Sequence, residues 1–196
     1  MLELSEKALE YSLTGLETFY DIPSSLGGAV VMNTGASGEE IKDLIIKVEY
    51  LDLVDFKVKE LTKEEIGFEF RNSFFQKNND KIVLKAWLKL KKGSTAAIAN
   101  KMKTLKKLRW EKQPKEFPNA GSVFKRPKGF YVGAIIEELG LKGFTVGGAK
   151  IPQKHAGFIV NFNSATGRDI LKIIDTVKEK VLKKYDIDLE VEQRII

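Results

Sequence analysis

Two prolines in a polar stretch, Pro114 and Pro118 of QPKEFPNAG (113–121), constrain this chain more than any other feature. Proline lacks a backbone N–H and has a fixed φ, so neither a helix interior nor a central strand passes through it. A helix that precedes residue 113 must stop there, and a sheet that follows must start afresh. A boundary just before this stretch divides the chain into residues 1–112 and 113–196. Each part holds strand and helix patterns of its own, so the expected fold class is α+β.

Upstream of the break, SEKALEYS (5–12) predicts a short helix with Ser5 as its N-cap. DIPSSLGGAVVMNTGASGEE (21–40) concentrates glycine and small residues, which suits turns and close backbone approach. From Leu44, LIIKVEYLDLVDFKVKEL alternates and is rich in β-branched residues, predicting two strands joined by a tight turn. Thr62 and Glu65 have capping-box spacing for one helical turn. The aromatic-rich FEFRNSFFQ (68–76) predicts extended chain, and KIVLKAWLKL (81–90) a half-buried strand. Ser94 is placed to cap a basic helix reaching about residue 108. Downstream, the pattern predicts a helix near 131–139 stopped by Gly140, a strand GFIVNF, an amphipathic helix over 166–183, and DLEVEQRII as a closing strand.

Composition removes several kinds of chemistry. There is no cysteine, so disulfides, thiolate metal sites and cysteine nucleophiles are excluded. The one histidine, His155 in KHAGF, forms neither a triad nor a metal cluster by itself and reads as structural, and no metal is expected. No apolar run is long enough to span a bilayer and no secretory pattern follows Met1, so the expectation is a cytoplasmic protein with no membrane partner. The net charge of +6 is concentrated: residues 101–115, KMKTLKKLRWEKQPK, hold seven Lys or Arg against one Glu. A solvated helix face accounts for that run, and so does a phosphate-bearing ligand. Nucleic acid ranks third, because Trp110 alone interrupts the charges and no recognition motif accompanies them.

Four places could carry chemistry. The glycine segment could pack closely or bind phosphate, but it is neither a Walker A loop nor a dinucleotide fingerprint. In GSVFKRP, Ser122 precedes Lys125 and Arg126 by three and four residues, so it is either a turn serine or a proton donor near two cations. Arg71, among aromatics, is either a structural ion-pair partner or a clamp for carboxylate or phosphate. Glu192 reads as a surface charge on an edge strand.

Taken in order, IPSSLGGAVVMNTGASGEE, FEFRNSFFQ, FPNAGSVFKRPKGF, GLKGFTVGGAKIPQKHAGFIVNFNSAT and DLEVEQRII resemble the UDP-N-acetylenolpyruvoylglucosamine reductase (UDP-N-acetylmuramate dehydrogenase) family, from about Leu13 to the end of the chain. The wording is that of the second type, which lacks an extra substrate-covering loop. The resemblance implies a flavoenzyme in which NADPH reduces FAD and UDP-N-acetylglucosamine enolpyruvate is reduced to UDP-N-acetylmuramate for peptidoglycan. It implies that 1–112 is the C-terminal part of a PCMH-type α/β FAD-binding domain. It implies that 113–196 is a smaller α+β substrate-binding domain whose final strand returns to the active site. By motif, Ser122 would donate the proton, while Arg71 and Glu192 would flank the substrate carboxylate. Lys125 and Arg126 would face the substrate's anionic groups, and Ile22, Gly27, Gly28, Asn33 and Gly35 would lie closest to FAD. The family pattern begins earlier, with another subdomain and a GxGSN loop. The accompanying expectation is a fragment or truncated product that only binds the UDP-sugar, or a second chain that supplies the remainder.

Overall fold

The computed structural model describes residues 1–195, and the chain divides into two compact units, the first Met1–Leu108 and the second from Arg109 onward. Helix and strand are mixed in both.

The first unit opens on α1 (Leu2–Glu10), which begins earlier than Ser5. The Met1 ammonium donates to the Ser24 carbonyl at 2.6 Å and anchors the helix start. Ser5 is therefore buried within the helix, where its hydroxyl donates to the Leu16 carbonyl instead of capping. The glycine segment forms a short α2 (Leu26–Val31), with the Ser25 hydroxyl accepting from the Gly28 N–H at 3.0 Å. The alternating stretch becomes β1 (Ile45–Asp52) and β2 (Lys57–Thr62), antiparallel as expected. The Thr62–Glu65 capping box is made in both directions and starts α3 (Lys63–Ile66), which ends on Gly67 in the left-handed region.

FEFRNSFFQ is not extended. Glu69 and Asn72 exchange backbone hydrogen bonds across a tight turn, Arg71 has φ 53°, and α4 (Phe74–Lys77) follows. The aromatics drive this, because Phe74, Phe75 and Tyr50 meet edge to face with centroids 5.4 to 6.0 Å apart. Clustering three rings in one corner competes with alternating them along a strand. β3 (Lys81–Leu88) then pairs with β1, giving the order β2–β1–β3. The buried side chains Val48 and Tyr50 of β1, with Val30, Ile41, Ile66 and Phe75, make the core of this unit.

Asp52, at the end of β1, ties the three strands together. Its carboxylate accepts from Lys59 at 2.7 Å, Lys81 at 2.8 Å and the Val54 N–H at 3.0 Å. The hydrogen bonds from Lys59 and then Lys81 hold its carboxyl well below the usual carboxylate range. A carboxyl that titrates lower when folded stabilises the fold above its ordinary value of about 3.9 and loses that contribution as pH falls below it. Asp52→Asn is expected to lower the urea midpoint at neutral pH and to shrink the gap between neutral and acidic midpoints. Circular dichroism at both pH values checks this, and an unchanged neutral midpoint would count against it.

Helix α5 (Thr95–Lys112) carries the basic run, with the Ser94 hydroxyl accepting from the Ala97 N–H at 3.4 Å. It continues past residue 108 until Pro114, the first position unable to extend it. Part of its charge is met by neighbouring acids: Lys101 pairs with Glu39 at 3.1 Å and Lys106 lies 3.8 Å from Asp21.

In the second unit, β4 (Asn119–Ser122), α6 (Val132–Glu138), β5 (Thr145–Val146), β6 (Ala149–Lys150) and β7 (Phe158–Asn161) precede the long α7 (Gly167–Tyr185). The sheet is antiparallel in the order β4–β7–β6–β5. Thr166 and Asp169 form a reciprocal capping box at the start of α7. Ile173, Ile174, Val177 and Val181 recur at helical spacing on α7 and are buried with Ile136, Ile151 and Leu189. Gly140, at φ 68°, ends α6 as expected. Among the described residues the tail forms no regular strand: it makes one bridge, Phe124 to Val191, flanked by Lys125 N–H to Glu190 O and Glu192 N–H to Val123 O. Ile196, the end of that expected strand, lies outside the described residues.

Candidate functional site

The proline break is built to present Ser122. The Asn119 side-chain amide donates to the Pro114 and Phe117 carbonyls, and its oxygen accepts from the Gly121 N–H at 3.0 Å. Gly121 has φ 81°, a conformation that glycine adopts without strain. Ser122 then stands at the end of β4, opposite Phe158 of β7, with its side chain exposed. Beyond it Val123 and Phe124 turn inward and are buried.

A cavity of about 340 Å³ opens beside this strand, walled by Ser122, Phe124, Arg126, Tyr131, His155 and Gly157 among others. Arg126 Nε donates to the Phe130 carbonyl at 3.1 Å, and its guanidinium lies 3.7 Å from the centre of the Tyr131 ring. That stacking fixes a charge which would otherwise move freely. Lys125 does not line the cavity, and its ammonium pairs with Glu190. Glu192 is drawn next to the Ser122 strand by its backbone bond to Val123 O at 2.8 Å. Gln193 reinforces the tail through a bond from Nε2 to the Gly121 carbonyl at 3.2 Å. Tyr131 and His155 are cavity residues that sequence reasoning did not single out as functional. Tyr131 follows Arg126 closely enough to have been suspected, whereas His155 is brought in from a distant loop.

The remaining candidates lie in the first unit, so the nominated residues form two groups. Asn33 is fully buried, with φ 45°. Its amide donates to the Glu69 carbonyl at 2.8 Å and to Glu40 at 3.1 Å, and its oxygen accepts from the Lys42 N–H at 3.3 Å. Arg71 donates to the Gly35 carbonyl at 2.8 Å and to the Asn33 carbonyl at 3.4 Å. Through these two bonds it latches the glycine turn. Gly35 is required there, because a Cβ would lie 2.8 Å from the Glu39 carbonyl and 2.9 Å from Glu40 Cγ. Gly27 faces Val83, Gly28 is bonded to Ser25, and Ile22 packs against the core. At Asn33 and Gly35 close packing is thus the visible role. For a flavin these residues leave backbone surface at Gly27 and Gly28, with the Asn33 side chain already committed.

An α+β unit whose cavity wall joins a hydroxyl, a guanidinium and an imidazole, with no carboxylate among the wall residues, defines a domain suited to an anionic small molecule. Comparison with known proteins gives the family. Residues 113–196 match the family model "UDP-N-acetylenolpyruvoylglucosamine reductase, C-terminal domain". The chain is 51% identical over 189 residues to the UDP-N-acetylenolpyruvoylglucosamine reductase of Fervidobacterium nodosum, covering 96% of this chain and 60% of that protein. It is 46% identical over 196 residues to that of Syntrophomonas wolfei, covering all of this chain and 65% of the relative. The crystal structure of UDP-N-acetylenolpyruvylglucosamine reductase from Thermus caldophilus superposes with a TM-score of 0.86 at 35% identity, covering 98% of this chain and 68% of that one. The chain belongs to the UDP-N-acetylenolpyruvoylglucosamine reductase family. It spans about 60 to 65% of the length of the curated relatives it matches.

Proposed function

We propose that this chain carries the substrate-side machinery for reducing UDP-N-acetylglucosamine enolpyruvate to UDP-N-acetylmuramate, with FAD and NADPH as cofactors. The observation that carries this reading is the cavity in which Ser122 and the stacked Arg126 share one wall. The reaction adds a hydride and a proton across a carbon–carbon double bond. FAD, reduced by NADPH, supplies the hydride when bound, and backbone at Gly27 and Gly28 would lie against it. Ser122 Oγ–H gives the proton to the adjacent carbon and is restored from solvent. A serine hydroxyl is a weak acid, so this step depends on a strongly basic carbon held within hydrogen-bond reach. Glu192, beside the same strand, meets the substrate carboxylate in this reading. Domain roles follow: residues 1–112 serve the flavin and 113–196 the nucleotide sugar.

Arg126 supplies the charge that a diphosphate needs, and a charge-assisted hydrogen bond is worth about 1.5–3 kcal/mol. Arg126→Ala is expected to raise the Kd for UDP-N-acetylglucosamine about 10- to 100-fold by calorimetry. Lys125→Ala should change it less than about threefold, because Glu190 already engages that ammonium. Equal effects of the two variants, or none, would remove the support for this cavity. A second reading, a domain that binds the nucleotide sugar without flavin, is favoured by the internal commitment of the Asn33 side chain. Adding FAD, removing the excess and recording the visible spectrum separates the two. A retained flavin band supports the reductase, and its absence supports the flavin-free binder.

A further inference from the structure

The residue before Ser122 is a glycine, the residue type whose backbone turns most freely. At φ 81° an added Cβ on Gly121 would meet nothing within 4 Å, so no neighbour crowds this residue into place. Among the described residues the Ser122 hydroxyl makes no hydrogen bond of its own, so its direction is set by the backbone that carries it. Two side chains grip that backbone. Asn119 Oδ1 accepts from the Gly121 N–H at 3.0 Å, and Gln193 Nε2 donates to the Gly121 carbonyl at 3.2 Å. The second bond bears directly on Ser122, because the Gly121 carbonyl lies in the peptide plane that ends on Ser122. The register explains how Gln193 reaches it. Phe124 faces Val191, with the Lys125–Glu190 and Val123–Glu192 bonds on either side. Bonded and unbonded pairs alternate in an antiparallel ladder, so this register sets Ser122 opposite Gln193 and makes Gly121 the next rung. There the Gly121 carbonyl accepts from the Gln193 side chain.

We propose that Gln193 is a positioning residue for Ser122, its amide fixing the Gly121–Ser122 peptide plane and so aiming the hydroxyl for proton transfer. This rests on the substrate reading given under the proposed function, in which that hydroxyl gives up its proton. Proton transfer needs a donor that is aligned and within hydrogen-bond reach, and a misplacement of about 1 Å can cost about 10²-fold in rate. Asn119 holds the other end of Gly121, so losing the Gln193 amide loosens the peptide without releasing it.

Gln193→Leu keeps much of the bulk and removes the donor. In NMR of the labelled chain it should shift the Gly121 carbonyl carbon and the Ser122 amide nitrogen. With FAD and NADPH supplied, its kcat should fall about tenfold while the Kd for UDP-N-acetylglucosamine moves less than about threefold. Gln193→Lys, which keeps an N–H donor of similar reach, should bring kcat back to within about threefold of wild type. A merely structural side chain would not divide kcat from Kd in this way, nor be replaced by any donor. Should Gln193→Leu not fold, Gln193→Glu, of the same shape but without a donor at neutral pH, gives the same comparison. Unchanged Gly121 and Ser122 signals in the donorless variant would overturn the proposal. So would an unchanged kcat in that variant where Ser122→Ala lowers it, and both results leave the substrate reading standing. Turnover that Ser122→Ala does not lower, or no turnover by the wild-type chain with both cofactors supplied, would overturn the substrate reading and the role of Gln193 together.

Discussion

Gly148→Ala is expected to unfold the second unit. A Cβ at this position would overlap the Asn163 carbonyl oxygen and lie 2.5 Å from the Ala165 nitrogen, and both are backbone atoms. Backbone cannot turn aside as a flexible side chain does. The Gly148 carbonyl also accepts from the Phe162 and Asn163 N–H groups at 2.9 and 3.0 Å, so separating the two segments breaks those bonds. Overpacking usually costs 1–3 kcal/mol, and a clash against hydrogen-bonded backbone on this scale should cost about 4 kcal/mol or more. That is most of the stability of a marginal domain, roughly 5–15 kcal/mol. The matching control is Gly167→Ala at the start of α7, where an added methyl meets nothing within 4 Å. It should be neutral or slightly stabilising, since alanine loses less entropy than glycine in a helix. Urea unfolding of both variants by circular dichroism checks the contrast. Equal midpoints for the two would show that the loop at Gly148 gives way more easily than its contacts indicate.

Ser122→Ala should abolish most turnover while leaving binding nearly intact. If Ser122 Oγ is the proton donor, its loss removes general acid catalysis, worth about 10²–10⁴-fold in rate. The expected result is a fall in kcat of about 10³-fold in any preparation that reduces the enolpyruvyl sugar with FAD and NADPH. The Kd for UDP-N-acetylglucosamine should move less than about threefold, because an exposed hydroxyl adds little to ground-state binding. Ser122→Cys, which restores a donor in the same place, should recover part of the rate. A variant whose Kd rises as far as its kcat falls would assign Ser122 to binding rather than to proton transfer.

Much of this was legible in the primary structure because it is local. Thr62 with Glu65 declared a helix start, since a capping box is complete within four residues. The alternation of KIVLKAWLKL marked β3, and Gly140 marked the end of α6. The order of the glycine, GSVFKRP and KHAGF motifs also pointed to the family. Local signals failed where a distant group made the better offer. Ser5 looked like a cap, but the Met1 ammonium reached Ser24 and left the Ser5 hydroxyl to the Leu16 carbonyl. FEFRNSFFQ looked extended until Tyr50 supplied a third ring for Phe74 and Phe75. The tail looked like a strand, yet its described residues pair at only one bridge.

By itself the sequence determined which segments are helix or strand in the regular parts, where the chain must break at Pro114 and Pro118, and which motifs carry the family likeness. Those properties depend on backbone stereochemistry and on side chains a few residues apart. Tertiary structure alone decided that Arg71 latches the Asn33–Gly35 turn, that Lys125 turns to Glu190, and that His155 joins Ser122 and Arg126 in one cavity wall. The last of these requires β4 to lie against β7, which brings together residues some thirty positions apart. Such a meeting depends on strand register and on how burial closes the loop between them, neither of which leaves a mark in local residue spacing.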